Sequence, residues 1–456
     1  MIGCCVYTLI YEKILNIPTK LPVKNNNQTL INPFPFFTDG FKMDNNGVKI
    51  QFLGGSNHIG SLSMVLETDE MKLLFEYGVS PGKPPTYPLP PPPIDLALLT
   101  HAHLDHSGMI PWLCGRENKR VMATDITNKV SNLLFKDSIK IAKMDGYSIP
   151  FSKEDVNEAE NSFIEVAPSQ KRDVGEDSEI RFHSAGHIPG SLMFELVGSK
   201  KILFTGDMNV IDTRLVRGVK PVSCDILFLE GTYAGREHPK RDEMEKAFLD
   251  KIDEVVKRGG TAVIPAFAVS RSQEILLVLK DAGYNVWFDG MGKKVTKLFL
   301  KHRQYLRSPE DLKKAINKVN LIHSDHSRKL ALKADVILTS SGMMEGGPVL
   351  WYMNQLKDDK KSAVLLTGYQ VEGTNGRLLM DKGKLEFYGV VEKVECEVDY
   401  FDFSAHAGHS ELIKFAKQCN PEKVVLFHSE NREPLVGPIS DFAEVFTPNN
   451  GEIAVL

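Results

Sequence analysis

The chain has 456 residues, enough for two domains or for one large domain carrying an insertion. Its 42% apolar and 25% charged residues are normal for a soluble globular protein. A formal net charge of −4 excludes a broad basic surface for nucleic acid, so any polyanion site must be a local cleft.

Six cysteines occur, Cys4, Cys5, Cys114, Cys224, Cys396 and Cys419, with no Cys-x-x-Cys pair among them. That spacing suggests neither a disulfide framework nor a thiolate metal site, and it fits a reducing, cytoplasmic compartment. Met1 to Ile10 is largely apolar but is interrupted by Glu12 and Lys13. It is too short for a spanning helix, and it lacks the basic start and small-residue cleavage site of a signal peptide. Residues 1–45 are therefore expected to be a poorly ordered N-terminal extension, such as a start codon assigned too early would add.

Domain-like patterning begins next. Val48 to Leu53, Ser63 to Glu67 and Lys72 to Phe75 read as strands, with a glycine turn at Gly54-Gly55 and His58 in the loop between the first two. Glu76-Tyr77-Gly78 follows. Pro84 to Pro93 is proline-dense, must be extended, and is expected to wrap the surface as a rigid connector. It delivers the chain to an apolar run, Ile94 to Leu99, that reads as a buried strand. Directly after it stands Thr100-His101-Ala102-His103-Leu104-Asp105-His106-Ser107-Gly108. Imidazole and carboxylate suit zinc and similar divalent ions. Alternate side chains of an extended segment share a face, so His101 and His103 can grip one ion, while Asp105 and His106 can reach a second.

Helices are expected from Ser107 to Leu113 (capped by Asp105 or Ser107), from Asp125 to Lys143 (capped by Thr124 or Asp125) and from Glu154 to Phe163. Strands resume at Ile180 to His183, Leu192 to Val197, Lys201 to Phe204 and Ile226 to Glu230. His187 lies in a loop between two of these strands, and Asp207 follows another in Thr205-Gly206-Asp207. After Arg236 helix and strand alternate. Helices are expected at Arg241 to Lys257, Arg271 to Asp281, Lys293 to His302, Pro309 to Ile316 and Gly347 to Gln355. Strands are expected at Thr261 to Ile264, Val286 to Phe288, Val336 to Thr339 and Ala363 to Leu366. That is the pattern of a doubly wound parallel unit inserted into the first domain. From about Lys384 strand-rich patterning returns, followed by a Ser410 to Gln418 helix and a Val424 to Phe427 strand. The expected division is 1–45 as extension, 46–235 and 384–456 as two parts of one domain, and 236–383 as the insert.

The His101–His106 stretch resembles the HxHxDH motif of the metallo-β-lactamase superfamily. Pro265–Glu274, Ser340–Pro348, Thr367–Thr374 and Asp402–Gly408 with Leu426–Glu430 resemble, together with Glu230, the β-CASP branch of that superfamily, which includes RNase J, a pre-mRNA 3′-end-processing endonuclease subunit and archaeal homologues. The resemblance runs from about Val48 to the C-terminus. It implies an α/β fold: an αββα metallo-β-lactamase sandwich with an inserted doubly wound β-CASP domain, and two divalent metal ions, most readily Zn2+. Carried over position by position, it makes His101, His103, His187 and Asp207 the ligands of one ion and Asp105, His106 and His428 those of the other, with Asp207 bridging. Glu230 matches an accessory acid and His406 an accessory histidine. Glu76 stands where the family usually has an aspartate that supports the metal loop by hydrogen bonding. A histidine at 428, where DNA-acting relatives typically carry an aliphatic residue, points to RNA.

The chemistry expected is hydrolysis of RNA phosphodiesters by a two-metal-activated hydroxide, endonucleolytic or 5′→3′ exonucleolytic. Asp105, Asp207, Glu230 and His406 are the catalytic candidates, with His406 protonating the departing sugar oxygen. Ser341, Gly342, Gly346, Arg271, Thr374 and Arg377 are candidate phosphate contacts, because strand-to-helix glycine loops and helix N-termini favour anions. Lys293 and Lys294 could line the same cleft, and Tyr369 could stack a base. His323 and His326 read as a helix-capping loop rather than a further metal site. The expected partner is single-stranded RNA, with no membrane and with a homodimer or processing-complex partners open. The competing readings are a lactonase- or thioesterase-type small-substrate hydrolase, and a catalytically silent RNA-processing partner.

Overall fold

The computed structural model describes residues 47–68, 71–174 and 178–456, so the expected extension over 1–45, with Cys4 and Cys5, lies outside the described residues. Two seven-stranded sheets form the sandwich. The first runs, edge to edge, Ile453–Val455, Lys49–Gly54, Ser63–Glu67, Lys72–Phe75, Leu96–Leu98, Val121–Ala123, Phe163–Glu165. The second runs Glu444–Phe446, Lys423–Phe427, Ile226–Glu230, Lys201–Phe204, Leu192–Val197, Glu179–Ser184, Lys171–Asp173. These central strands are apolar on both faces, as sheets covered on both sides must be. Their inner faces meet through aromatic rings: Phe75 lies 4.5 Å from Phe204, and Phe52 lies 5.9 Å from Phe427, centroid to centroid.

Helices cover the outer faces. Ile110, Leu113, Phe135 and Val156 bring three helices onto the first sheet, against Leu74, Ala97 and Val121. Leu412, Phe415 and Ile439 bring two onto the second, against Leu227 and Leu426. This is the expected αββα order of layers.

The insert carries a six-stranded parallel sheet in the order Asn320–Leu321, Val286–Phe288, Val336–Thr339, Ala262–Pro265, Ala363–Leu366, Glu397–Tyr400. Phe248, Ile275, Phe299 and Leu312 pack one face, and Tyr352, Met353 and Leu379 the other, so the unit is doubly wound. Its last strand pairs with Ala363–Leu366, so the chain re-enters the sandwich after Tyr400 and not near 384. The Lys384–Phe387 and Val390–Lys393 hairpin that reads as returning strand structure instead buries Leu385 and Phe387 against the insert.

Two local expectations change. The single helix from Ser107 is two, Leu104–Ser107 and Ile110–Glu117. Neither Asp105 nor Ser107 caps the first: His103 occupies the N-cap without a side-chain bond, and the Ser107 hydroxyl donates to Ala102 O at 3.0 Å. By contrast Thr124 caps Asp125–Asp145 by accepting the Thr127 amide, and Ser324 caps Asp325–Ala331, which explains the His323 to His326 loop. The Pro84 to Pro93 connector contributes no strand and is tied to the sandwich by Leu89 N–H donating to Leu53 O.

Candidate metal centre

Every candidate ligand sits on a loop or helix start just beyond a buried strand. His101 and His103 follow Leu96–Leu98, Asp207 follows Lys201–Phe204, Glu230 ends Ile226–Glu230, and His428 follows Lys423–Phe427. His187 lies in the loop before Leu192–Val197. The sheet ends deliver these residues to one edge of the sandwich.

There they form three contiguous groups whose ligand atoms all lie within 4.8 Å of one another: His101, His103, His187 and Asp207; Asp105, His106 and His428; and Asp207, Glu230 and His406. His103 Nδ1 lies 3.1 Å from His101 Nε2 and 3.2 Å from His187 Nε2. His187 Nδ1 stands 2.8 Å from Ala405 O, to which only an N–H can be directed, so in the neutral ring Nε2 carries the lone pair that faces inward. His103 Nδ1 holds at most one hydrogen and cannot satisfy both neighbours. A tetrahedral zinc with Zn–N of about 2.0–2.1 Å sets its ligand nitrogens roughly 3.3 Å apart, close to what these rings adopt. The second group converges likewise: Asp105 Oδ2 lies 3.8 Å from His106 Nε2 and 3.7 Å from His428 Nε2. Asp207 joins the two, with Oδ2 3.6 Å from His101 Nε2 and 3.2 Å from His106 Nε2, and Oδ1 3.8 Å from His428 Nε2. His106 Nε2 and Asp207 Oδ1 are buried without a hydrogen-bond partner among the described residues, which a bound cation would supply. The donor set and its orphaned atoms fit divalent metal.

Electrostatics agree. Burial, aided by the neighbouring imidazoles, holds His101 and His187 well below the usual histidine range and His103 at about 4, so these rings are neutral and able to ligate. Burial also lowers His428. His106 goes the other way: burial opposes its proton, but Asp207 and Asp105 outweigh that. Burial pushes Asp207 up, yet His106, His406 and His428 hold it well below the usual carboxylate range.

Glu76 takes the supporting place. It is 1% exposed, its Oε1 accepts the Thr100 amide at 2.9 Å, and its Oε2 lies 3.3 Å from His106 Nδ1. Its backbone is left-handed (φ 61°), as is that of His428 (φ 55°), a conformation that costs free energy and clusters at functional sites. Two residues on, a Cβ at Gly78 would stand 1.6 Å from Asp105 O, so only glycine lets the ligand loop close.

His406 Nδ1 lies 3.0 Å from Glu230 Oε1, and His406 Nε2 lies 3.9 Å from Asp207 Oδ2. Burial works against protonation of His406, but Glu230 and Asp207 push its pKa up to about 9. The Tyr233 ring, which the sequence alone did not single out, lies 5.8 Å from the His406 ring; its place just after the Glu230 strand was the available signal.

The other candidates are placed less centrally. Arg271 donates to Thr367 O at the seam between sandwich and insert. Gly342 packs on Phe267, whose amide would lie 2.8 Å from an added Cβ, and the Ser341 hydroxyl donates to Gly346 O at 3.1 Å. Thr374 is a helix cap, accepting the Arg377 amide and donating to Val371 O, while Arg377 Nε donates to Asp381 Oδ2 at 2.8 Å. Thr374 thus serves its own helix start, and Arg377 pairs with Asp381 one turn on along that helix. Lys293 donates to Ile322 O. His58 belongs to no ligand group and lies 3.0 Å from the Ser61 hydroxyl. No helix among the described residues is long and apolar enough to cross a membrane.

Comparison with known proteins gives three adjoining matches. The metallo-beta-lactamase superfamily matches residues 58–256, the Beta-Casp domain 272–379, and the Zn-dependent metallo-hydrolase RNA specificity domain 391–434. The chain is 37% identical over 428 residues to a probable RNase, MJ4, of Methanocaldococcus jannaschii, covering 89% of this chain and 99% of that one. It is 33% identical to the RNase aCSPSF2 of Saccharolobus solfataricus, covering 91% and 86%, and 30% identical to the transcription termination factor FttA of M. jannaschii, covering 87% and 68%. A crystal structure of an Enterococcus faecalis protein of unknown function superposes with a TM-score of 0.58 at 15% identity, over 90% of this chain and 100% of that one, a likeness of fold.

Proposed function

The chain belongs to the β-CASP family of the metallo-β-lactamase superfamily, and from that premise we propose that it is a metal-dependent ribonuclease hydrolysing phosphodiester bonds of single-stranded RNA. One observation carries the reading: two ligand groups meet at Asp207 with the His406–Glu230 pair beside them. A catalytically silent paralogue would lack ligands that are present here. A lactonase or thioesterase would leave the large insert without a role. Relatives named as RNases support RNA as the substrate class.

His101, His103 and His187 with Asp207 would hold one divalent ion, and Asp105, His106 and His428 with Asp207 a second; imidazole and carboxylate donors favour zinc. Ions bound there supply Lewis-acid polarisation and lower the pKa of water toward about 7. The chain's own groups do the rest. Asp207 spans both ligand groups, His187 is oriented by Ala405 O, and Glu76 braces the loop that carries His101 and His106. Glu230 orients His406 through Nδ1 and holds it protonated, which leaves Nε2–H directed toward Asp207, where the departing sugar oxygen can take the proton.

The test is incubation of metal-loaded protein with end-labelled single-stranded RNA, duplex DNA and a panel of small esters. RNA cleavage that is lost in Asp207→Ala and His406→Ala is expected. Ester turnover without RNA cleavage, or RNA binding without products, overturns the reading.

A further inference from the structure

Arginines along the seam between sandwich and insert commit their guanidinium groups to protein acceptors. Arg214 donates to Glu245 Oε2 at 2.6 Å, Arg241 to Glu274 Oε1 at 2.6 Å, and Arg271 to Thr367 O. Arg236 does not. It is exposed, and among the described residues its guanidinium has no carboxylate or carbonyl partner; instead its central carbon lies 5.4 Å from the centroid of the Tyr369 ring. The Tyr369 hydroxyl also has no hydrogen-bond partner among the described residues. The exposed cation–π contact is what joins this cation to this phenol.

Their position is close to the candidate centre. Arg236 N–H donates to Tyr233 O at 3.0 Å, and the Tyr233 ring lies 5.8 Å from that of His406. On the opposite wall, Arg271 Nη1 lies 3.2 Å from where a Cβ on Gly368 would stand, beside Tyr369. Arg236 and Arg271 both act electrostatically on the Tyr233 phenol. Tyr233 thus links His406 to Arg236, and Arg271 lies beside Tyr369.

We propose that Arg236 and Tyr369 form a stacking step for the RNA strand: one nucleobase lies on the Tyr369 ring, and Arg236 moves to the adjoining phosphate. This rests on the ribonuclease reading above. The 5.4 Å contact leaves no room for a base between the two groups, since two contacts of about 3.5 Å each need roughly 7 Å, so the guanidinium must leave the ring face as the base arrives. The exchange trades an exposed cation–π contact for a base stack and a charge-assisted phosphate contact, and it is tolerant of sequence because every base has a π face. On this account Tyr369 and Arg236 position the strand rather than take part in the chemistry.

The experiment measures binding of a labelled oligoribonucleotide to zinc-loaded protein in the His406→Ala background, so that affinity is read without turnover. Tyr369→Ala is expected to weaken binding about tenfold, Tyr369→Phe to leave it unchanged and Tyr369→Trp to keep or tighten it. Arg236→Ala, at an exposed position that cannot disturb the core, is expected to weaken binding severalfold and to flatten its salt dependence. With an abasic strand the effect of Tyr369→Ala should disappear. Unchanged affinity in both Tyr369→Ala and Arg236→Ala, or a Tyr369→Ala loss that persists on the abasic strand, overturns the proposal. Absence of RNA cleavage by the wild type bears on the ribonuclease reading alone, because the binding measurement still reads the stack.

Discussion

Glu230 Oε1 accepts the Met208 amide at 3.0 Å while lying 3.0 Å from His406 Nδ1, and its Oε2 accepts the Thr232 amide at 3.0 Å. The carboxylate is therefore held at both oxygens by the backbone, one of those bonds coming from the residue after Asp207. His406→Ala should lower kcat by about 10²–10⁴, the range for removing a positioned proton donor. Glu230→Gln turns an amide N–H toward a backbone donor and removes the charge that keeps His406 protonated, so a drop of roughly tenfold to a hundredfold is expected. Because the two act as a unit, the double variant should be no slower than His406→Ala alone. Additive losses in kcat would show that Glu230 acts by some other route.

Asp207 and His428 should differ in their effect on metal content. Asp207 belongs to the His101–His103–His187 group and also lies 3.2 Å from His106 Nε2 and 3.8 Å from His428 Nε2, whereas His428 belongs to the second group alone, with Asp105 and His106. His428→Ala should lose one of the proposed pair by elemental analysis, and Asp207→Ala should weaken retention of both. Chelation should lower the thermal midpoint of the wild type, since a ligand at 1,000 times its Kd stabilises by about 4 kcal/mol. The same treatment should scarcely move Asp207→Ala. Equal metal content in all three proteins would remove the bridging role.

Glu76 stands in place of a family aspartate, and the fit explains why the longer side chain works. One oxygen accepts the Thr100 amide and the other lies 3.3 Å from His106 Nδ1, and a left-handed backbone aims the carboxylate at them. Glu76→Asp draws the carboxylate back by one methylene and cannot keep both contacts. Metal affinity or activity should fall by roughly tenfold to a hundredfold, the usual effect of losing a partner behind a ligating histidine. A variant as active as the wild type would show that the loop adjusts freely.

The core strands and the ligand set were legible in the sequence because both are local signals. Lys201 to Phe204, Ile226 to Glu230, Val336 to Thr339 and Ala363 to Leu366 are short apolar runs whose ends carry the functional residues. What was hidden depends on pairing at a distance. Glu397–Tyr400 reads as a strand of either domain, and only its register with Ala363–Leu366 assigns it to the insert. Ile453–Val455 is three residues long and becomes a strand by pairing with Lys49–Gly54 at the far end of the chain. That Thr374 caps the Asn375–Lys382 helix is set by its hydrogen bond with the Arg377 amide, which residue type alone does not specify. The Arg236–Tyr369 contact joins positions 133 residues apart, beyond any local pattern.

His238 and Asp402 give the pH prediction. His238 lies on the passage into the insert and Asp402 on the passage back, and Nδ1 and Oδ2 are 2.8 Å apart. Asp402 Oδ1 also accepts the Ser404 amide at 3.0 Å, and the Ser404 hydroxyl accepts the His406 amide at 3.1 Å. Burial pushes the Asp402 carboxyl up, but the hydrogen bond and charge of His238 outweigh it and leave the pKa below its ordinary value of 3.8. A carboxyl depressed on folding contributes stability that is fully present above its unfolded pKa and is lost as pH falls through the lower, folded one. Asp402→Asn should therefore cost about 1–2 kcal/mol near neutrality, and the gap from wild type should close as the pH drops below about 4. Chemical denaturation of both proteins across that range measures it. A gap that stays constant into acid would mean that the pair contributes through shape alone, and that no charge holds the two passages together.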